Sequence, residues 1–438
     1  VKVRIQVQQM PLSMKTIKEA LVAFSICVCT LGSSPSPAGA QQSSDHLSPP
    51  EFPVPATYFG VHLHRPSAAT WPQVPFTEWR LWDSKGTVWY DLEPHKGDWE
   101  FSQLDQDVAL AKERHVEVLL TLGQSPPWAS SRPNDPPSWR PGGVAPPKDE
   151  EDWKDYVRTV AARYRGRIRQ YEIWNEPNLK DSYSGTREQL IVLARDAYRI
   201  IHQIDPTAIV VSPSVTGGYD VGWLIHYLDL GGGDYADVIG YHFYTSPESP
   251  ESGVKTIRQV RAAMAAHGID KPLWDTETGY TIQSDLTTVV PPKGSLSRLL
   301  SHQEAIAYVM RAYALNWAAG ATRLYWYDWD GNSMGLGDEL GRRRKPAAAG
   351  YTVIQQWLAG VTMRSCDQDG SHNWTCELSN GRSAEWIVWN SDRGISRRLP
   401  AAWKVSRAET LSANGTSIST PLGADRTVVC GPIPTLLH

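Results

Sequence analysis

Two glutamates stand where chemistry is to be expected. Glu176 lies in I-R-Q-Y-E-I-W-N-E-P-N, Ile168 to Asn178, and Glu277 in K-P-L-W-D-T-E-T-G, Lys271 to Gly279. Each closes a short apolar run, and Pro177 and Gly279 end regular pairing just beyond. Cleavage of a glycosidic bond requires two carboxyl groups. One is protonated to release the leaving oxygen, and the other is ionised to attack the anomeric carbon from the opposite face. Asn175, next to Glu176, is suited to hold the sugar hydroxyl beside that carbon, a contact that strengthens as positive charge develops. A lone glutamate at a strand end can equally cap a helix or join an ion pair, so the pair carries the expectation.

The elements that must position this pair are legible in the spacing. Glu176 and Glu277 are 101 positions apart, about 34 for each of three βα units, near the barrel repeat of roughly 31. That spacing places them on strands four and seven, whose tips face each other across a barrel mouth. Eight apolar runs end in polar or glycine punctuation: Tyr58–His64, Trp79–Asp83, Val116–Leu122, Ile168–Trp174, Ala208–Ser212, Val238–Tyr244, Pro272–Thr276 and Thr322–Asp328. Helical periodicity separates them, which predicts an α/β fold, a (β/α)8 TIM barrel. Thr186 with Gln189, and Ser301 with Glu304, form capping-box pairs that open two of the helices. Long connections at 124–148, carrying Trp128 and Trp139, and at 278–296 follow strands and so belong to the catalytic face. Beyond about Gly360 short alternating segments predict a small β-sandwich. The expected organisation is a signal peptide at 1–40, a linker at 41–55, the barrel at 56–358 and the sandwich at 359–438.

W-N-E-P-N at Trp174–Asn178 and W-D-T-E-T-G at Trp274–Gly279 resemble the acid/base and nucleophile motifs of clan A glycoside hydrolases. Family 39, which includes β-xylosidases and related endoglycosidases, is the match, and the ordered strands extend it from Tyr58 to Leu358. The resemblance implies a retaining hydrolase with Glu176 as acid/base and Glu277 as nucleophile, and neither metal nor cofactor. It also implies that Arg80 holds the nucleophile, that Tyr244 is its partner and that Trp326 lies under the reactive sugar. His242 shares a face with Tyr244 by strand alternation, and Trp128 and His64 are further candidate sugar contacts. Arg80 would then keep Glu277 ionised, while Glu176, beside aromatic surface, would have the raised pKa.

Two other classes fit part of the pattern. His62 and His64, spaced H-x-H on the first strand, also suit a metal-dependent amidohydrolase barrel. Against it, strand five offers no histidine, and strand four has Asn and Glu where that fold needs lysine or another ligand. A non-catalytic carbohydrate-binding protein would keep the same aromatic surface without turnover.

The bulk numbers are compatible with a neutral saccharide partner. A formal charge of -4 over 438 residues gives no footprint for nucleic acid or an anionic membrane. Nineteen Trp and 18 Tyr against 6 Phe favour half-wet clefts, because these rings pair a flat apolar face with a polar edge. Met14 to Ala40 reads as an export signal: Lys15 and Lys18, an apolar run from Ala20 to Leu31, and Ala38-Gly39-Ala40. A secreted or periplasmic product, free of the membrane after cleavage, is the expectation. There a Cys366–Cys376 disulfide is permitted, with Cys430 unpaired.

Overall fold

The eight expected strands form, and one of them forms in two pieces. The computed structural model describes residues 45–67, 70–136, 140–217, 221–284, 297–331, 333–338 and 341–438. The expected signal, residues 41–44 of the expected linker, Trp139 and residues 285–296 of the later long connection lie outside the described residues. The first to fourth strands are Phe59–His62, Glu78–Leu81, Glu117–Leu122 and Gln170–Ile173, and the sixth to eighth are Ile239–His242, Leu273–Thr278 and Arg323–Trp326. The fifth is split. Ile209–Val211 pairs with the fourth strand, and Val215–Thr216 pairs with the sixth. Pro213 lies in the gap, where its missing N–H would break a ladder. Parallel bridges Asn175 to Ser214 and Val211 to Val238 span the break and close the ring. Leu119, Val211, Val238, Trp274 and Tyr325 fill the interior.

Helices Ser102–Glu113, Glu150–Tyr164, Arg187–Ile204, Gly222–Asp229, Gly253–Ala266, His302–Ala319 and Ala347–Leu358 follow strands two to eight. Both expected capping boxes are made, Thr186 with Gln189 and Ser301 with Glu304. Among the described residues no helix is long and apolar enough to cross a membrane.

The C-terminal part is a seven-stranded antiparallel sheet facing a two-stranded one. Trp386, Val388, Val428 and Cys430 share the core between them. Its edge strand is Asp45–Leu47, which pairs with Cys366–Gln368. The expected linker is therefore partly a strand of the accessory sheet. Leu47 is buried there, and Arg258, from a barrel helix, donates to Asp45 Oδ1 at 2.7 Å. Cys366 and Cys376 are cross-strand partners joined as a disulfide, and Cys430 is buried and free.

Candidate active site

The fourth strand ends in strained backbone. Trp174 and Glu176 have φ of 63° and 44°, a left-handed conformation that costs a non-glycine residue about 1–3 kcal/mol and needs support from its surroundings. Trp174 N–H donates to Leu122 O and its indole N–H to Ser182 O, both at 2.9 Å. Glu176 N–H donates to Ser214 O at 2.9 Å. Strand three, the loop after strand four and the split strand five therefore fix the turn that presents Glu176.

Arg80, 1% exposed, organises the other side. Its Nη1–H donates to Glu277 Oε2 at 2.7 Å, its Nη2–H to Asn175 Oδ1 at 2.7 Å, and its Nε–H to Glu172 Oε2 at 2.7 Å. The second oxygen of the Glu277 carboxylate accepts from Tyr244 Oη at 2.9 Å. Strands two, four, six and seven thus meet at one carboxylate. The contact with Arg80 makes the Asn175 oxygen the accepting end of its amide. His242 Nδ1 lies 2.9 Å from Glu176 Oε1. Oxygens of Glu176 and Glu277 and a ring nitrogen of His242 all lie within 4.8 Å of one another.

The proton bias in the resting site is the reverse of the expected one. Burial works to raise Glu176, but the hydrogen bond and charge of His242 outweigh it and hold that carboxyl below its ordinary value. For Glu277 burial prevails, and with the repulsion of Glu176 it outweighs the opposing His242 and Arg80, so Glu277 lies above its ordinary value. Burial alone would lower His242, yet the charges of Glu277 and Glu176 carry it above. The electrostatics thus favour the charged form of His242 beside an ionised Glu176.

The remaining expected residues are placed differently. His64 uses both ring nitrogens on protein groups: Nε2 lies 3.0 Å from Asp83, and Nδ1 lies 3.0 Å from Asp328 and 3.2 Å from Asp330. It pins together the loops after strands one, two and eight and has no ring nitrogen left for a sugar. His62 is buried, with Nε2 at 3.2 Å from Thr276 O and 3.5 Å from the Arg80 guanidinium, a cation that would repel a metal ion there. Among the described residues no group of three convergent metal-binding side chains contains both histidines, so the H-x-H reading loses its geometry. Trp326 is fully buried, with its ring 5.9 Å from that of Tyr280, and offers no exposed face. Its neighbour Tyr327 is the half-exposed aromatic, donating to Asp83 at 2.6 Å. Trp128 donates to Glu93 O at 2.8 Å and packs edge-on to Trp89, contacts that belong to the rim rather than to the carboxylates.

Sequence reasoning missed Glu172, Ser214 and Tyr327. Glu172 lies in strand four, four residues before Glu176, and receives Arg80, Thr121 and Ser214; a charged residue in a run otherwise bound for the core was the available signal.

No protein-family model matches the chain. Over 158 residues it is 26% identical to a β-xylosidase of Geobacillus stearothermophilus, a match covering 34% of this chain and 31% of that relative. The chain thus matches under a third of that relative's length. Among solved structures, a family 39 glycoside hydrolase from the gut symbiont Bacteroides cellulosilyticus WH2 is similar with a TM-score of 0.67, over 88% of this chain and 81% of that one, at 18% identity. The fold is that of the family 39 glycoside hydrolases. A monomeric β-xylosidase from Caulobacter crescentus CB15 is also similar, with a TM-score of 0.61 over 90% of this chain and 97% of that one, at 16% identity.

Proposed function

We propose that the chain is an O-glycosyl hydrolase acting on oligo- or polysaccharides by double displacement with retention, and that xylose-containing glycosides are its substrates. One observation carries the reading. The two carboxylates approach within 4.8 Å, near the roughly 5 Å of retaining enzymes and short of the 6.5–9.5 Å that inversion needs for a water. The β-xylosidase relatives support the choice of sugar.

His242 passes its proton across 2.9 Å to Glu176, which delivers it to the leaving oxygen. Glu277, held by Arg80 and Tyr244, attacks the anomeric carbon and becomes a glycosyl ester while the alcohol departs. Asn175 donates through its amide N–H to the adjacent sugar hydroxyl. Esterification removes the Glu277 charge that had held the proton nearby, so Glu176 remains a carboxylate able to take a proton from water. The water oxygen attacks the same carbon, Glu277 leaves, and the proton returns through Glu176 to His242.

Glu277→Ala is expected to abolish turnover of aryl xylosides and to recover it with azide, giving a glycosyl azide of inverted configuration. Undiminished activity in that variant would remove the nucleophile from this reading. We also propose export through the Met14–Ala40 segment, which N-terminal sequencing of the mature protein checks.

A further inference from the structure

Tyr280, three residues past Glu277 and 3% exposed, takes no part in the reaction above. Its hydroxyl lies 2.7 Å from Thr245 Oγ1, and Thr245 directly follows Tyr244, whose hydroxyl holds Glu277. Its ring packs on Trp326 at 5.9 Å and edge-on to Tyr308 at 5.1 Å. A side chain at the end of strand seven thus braces the ends of strands six and eight, on either side of the nucleophile.

Tyr280 is itself supported from behind. The Arg311 guanidinium, 1% exposed, lies 4.8 Å over the Tyr308 ring and donates to Glu251 Oε1 at 3.0 Å. The same oxygen accepts the indole N–H of Trp389, in the accessory sheet, at 3.0 Å. Contacts therefore run without a gap from that sheet through Glu251, Arg311 and Tyr308 to Tyr280.

We infer that Tyr280 is a positioning residue for the nucleophile: through Thr245 it sets the reach of Tyr244 to Glu277, and the accessory sheet holds Tyr280 in place through Trp389, Glu251 and Arg311. The inference rests on Glu277 being the nucleophile. A hydrogen bond to a carboxylate favours its ionised form, so a looser Tyr244 raises the Glu277 pKa and moves the acid limb of activity to higher pH. The other titratable groups that act on Glu277 are Arg80 from strand two, Asp83 beyond it, Glu176 from strand four, His242 from strand six, Asp275 from strand seven and Tyr327 after strand eight. Among these neighbours, Tyr280 reaches Glu277 through Tyr244, by way of Thr245.

The test is the pH profile of kcat/KM on an aryl xyloside, with kcat and KM resolved, for Tyr280→Phe, Tyr244→Phe and the double variant. Tyr280→Phe is expected to lower kcat about tenfold with KM nearly unchanged, and to move the acid limb to higher pH. The double variant should match Tyr244→Phe, because the effect passes through Tyr244. Trp389→Phe, which keeps the ring stacked on Trp374 and loses the N–H, should move the limb the same way by less. If Tyr280→Phe does not fold, Thr245→Val removes the partner hydroxyl and is expected to give the same shift. An unmoved acid limb, or additive effects in the double variant, overturns the role of Tyr280 while leaving the hydrolase reading intact. An inactive wild-type chain, or a fully active Glu277→Ala, overturns both.

Discussion

The His242 imidazole lies 2.9 Å from the Glu176 carboxylate, and in the proposed mechanism the proton they exchange sets the pH dependence. In that mechanism Glu277 must be ionised to attack, and its raised pKa is expected to put the acid limb of kcat/KM above the ordinary carboxylate range. The basic limb reports loss of the shared proton, and the raised His242 puts it above the ordinary histidine value of about 6.5. His242→Gln leaves the proton to a carboxyl alone, so the basic limb is expected to move to lower pH and kcat to fall about a hundredfold; a pH profile with an unmoved basic limb would refute the sharing. Arg80→Met strands Glu172 without its cation. The expected cost is about 3–5 kcal/mol of stability in denaturant unfolding, together with an acid limb at higher pH. The two glutamates and Asn175 could be read from types and spacing, because each ends or flanks an apolar run, whereas Arg80 and Tyr244 were implied by the resemblance to the clan A motifs. The placement of the proton could not, because it depends on a 2.9 Å contact between strands four and six that no spacing along one chain encodes. Trp326 was named by resemblance, but strand alternation sets it on the face opposite Tyr325, away from the barrel interior.

Elements meet at glycines and at His64. A Cβ on Gly240, in strand six, would lie 2.1 Å from Ser214 Oγ, the hydroxyl that serves Glu172. Gly240→Ala is therefore expected to cost about 1–3 kcal/mol and to reduce activity as well, measured as melting temperature and kcat. His64 joins three loops through carboxylates. Burial opposes its charge, but hydrogen bonds to Asp328, Asp330 and Asp83 raise it far above the ordinary value. Against their own burial, Asp83 and Asp330 are held down by the same imidazole. The histidine's contribution is complete below about pH 6.5 and fades only as pH rises through its raised value. The aspartates' contribution is present above about pH 4 and is lost as pH falls through their lowered values. His64→Leu should thus cost about 3–5 kcal/mol across pH 5 to 8 with little slope, and a strongly sloped loss over that window would contradict the clamp. Apolar runs and capping residues made the strands and helices legible. The split of strand five was signalled by Pro213 yet not resolved, since a proline tells where pairing stops but not which neighbour takes up the remainder.

Helix His302–Ala319 is buried along most of its length, with Arg311 reaching Glu251 of the barrel and Ser391 of the accessory sheet. Barrel and sheet accordingly form one compact unit. A chain ending at Leu358 is expected to be insoluble or to lack a cooperative unfolding transition, and a soluble, active fragment would refute that dependence. The strand at Asp45–Leu47 escaped sequence reading because its three residues are too few to show alternation, and its partners lie over three hundred positions away. The divided fifth strand has a consequence for heat. A hoop is weakest at its joint, and here the joint is spanned by a few bonds, among them Ser212 N–H to Val238 O and Glu176 N–H to Ser214 O, both at 2.9 Å. Amides around Ser212 to Ser214 should exchange with deuterium before the rest of the ring, and Glu176 would lose its mooring while most of the scaffold still stands. Inactivation on warming would then precede melting.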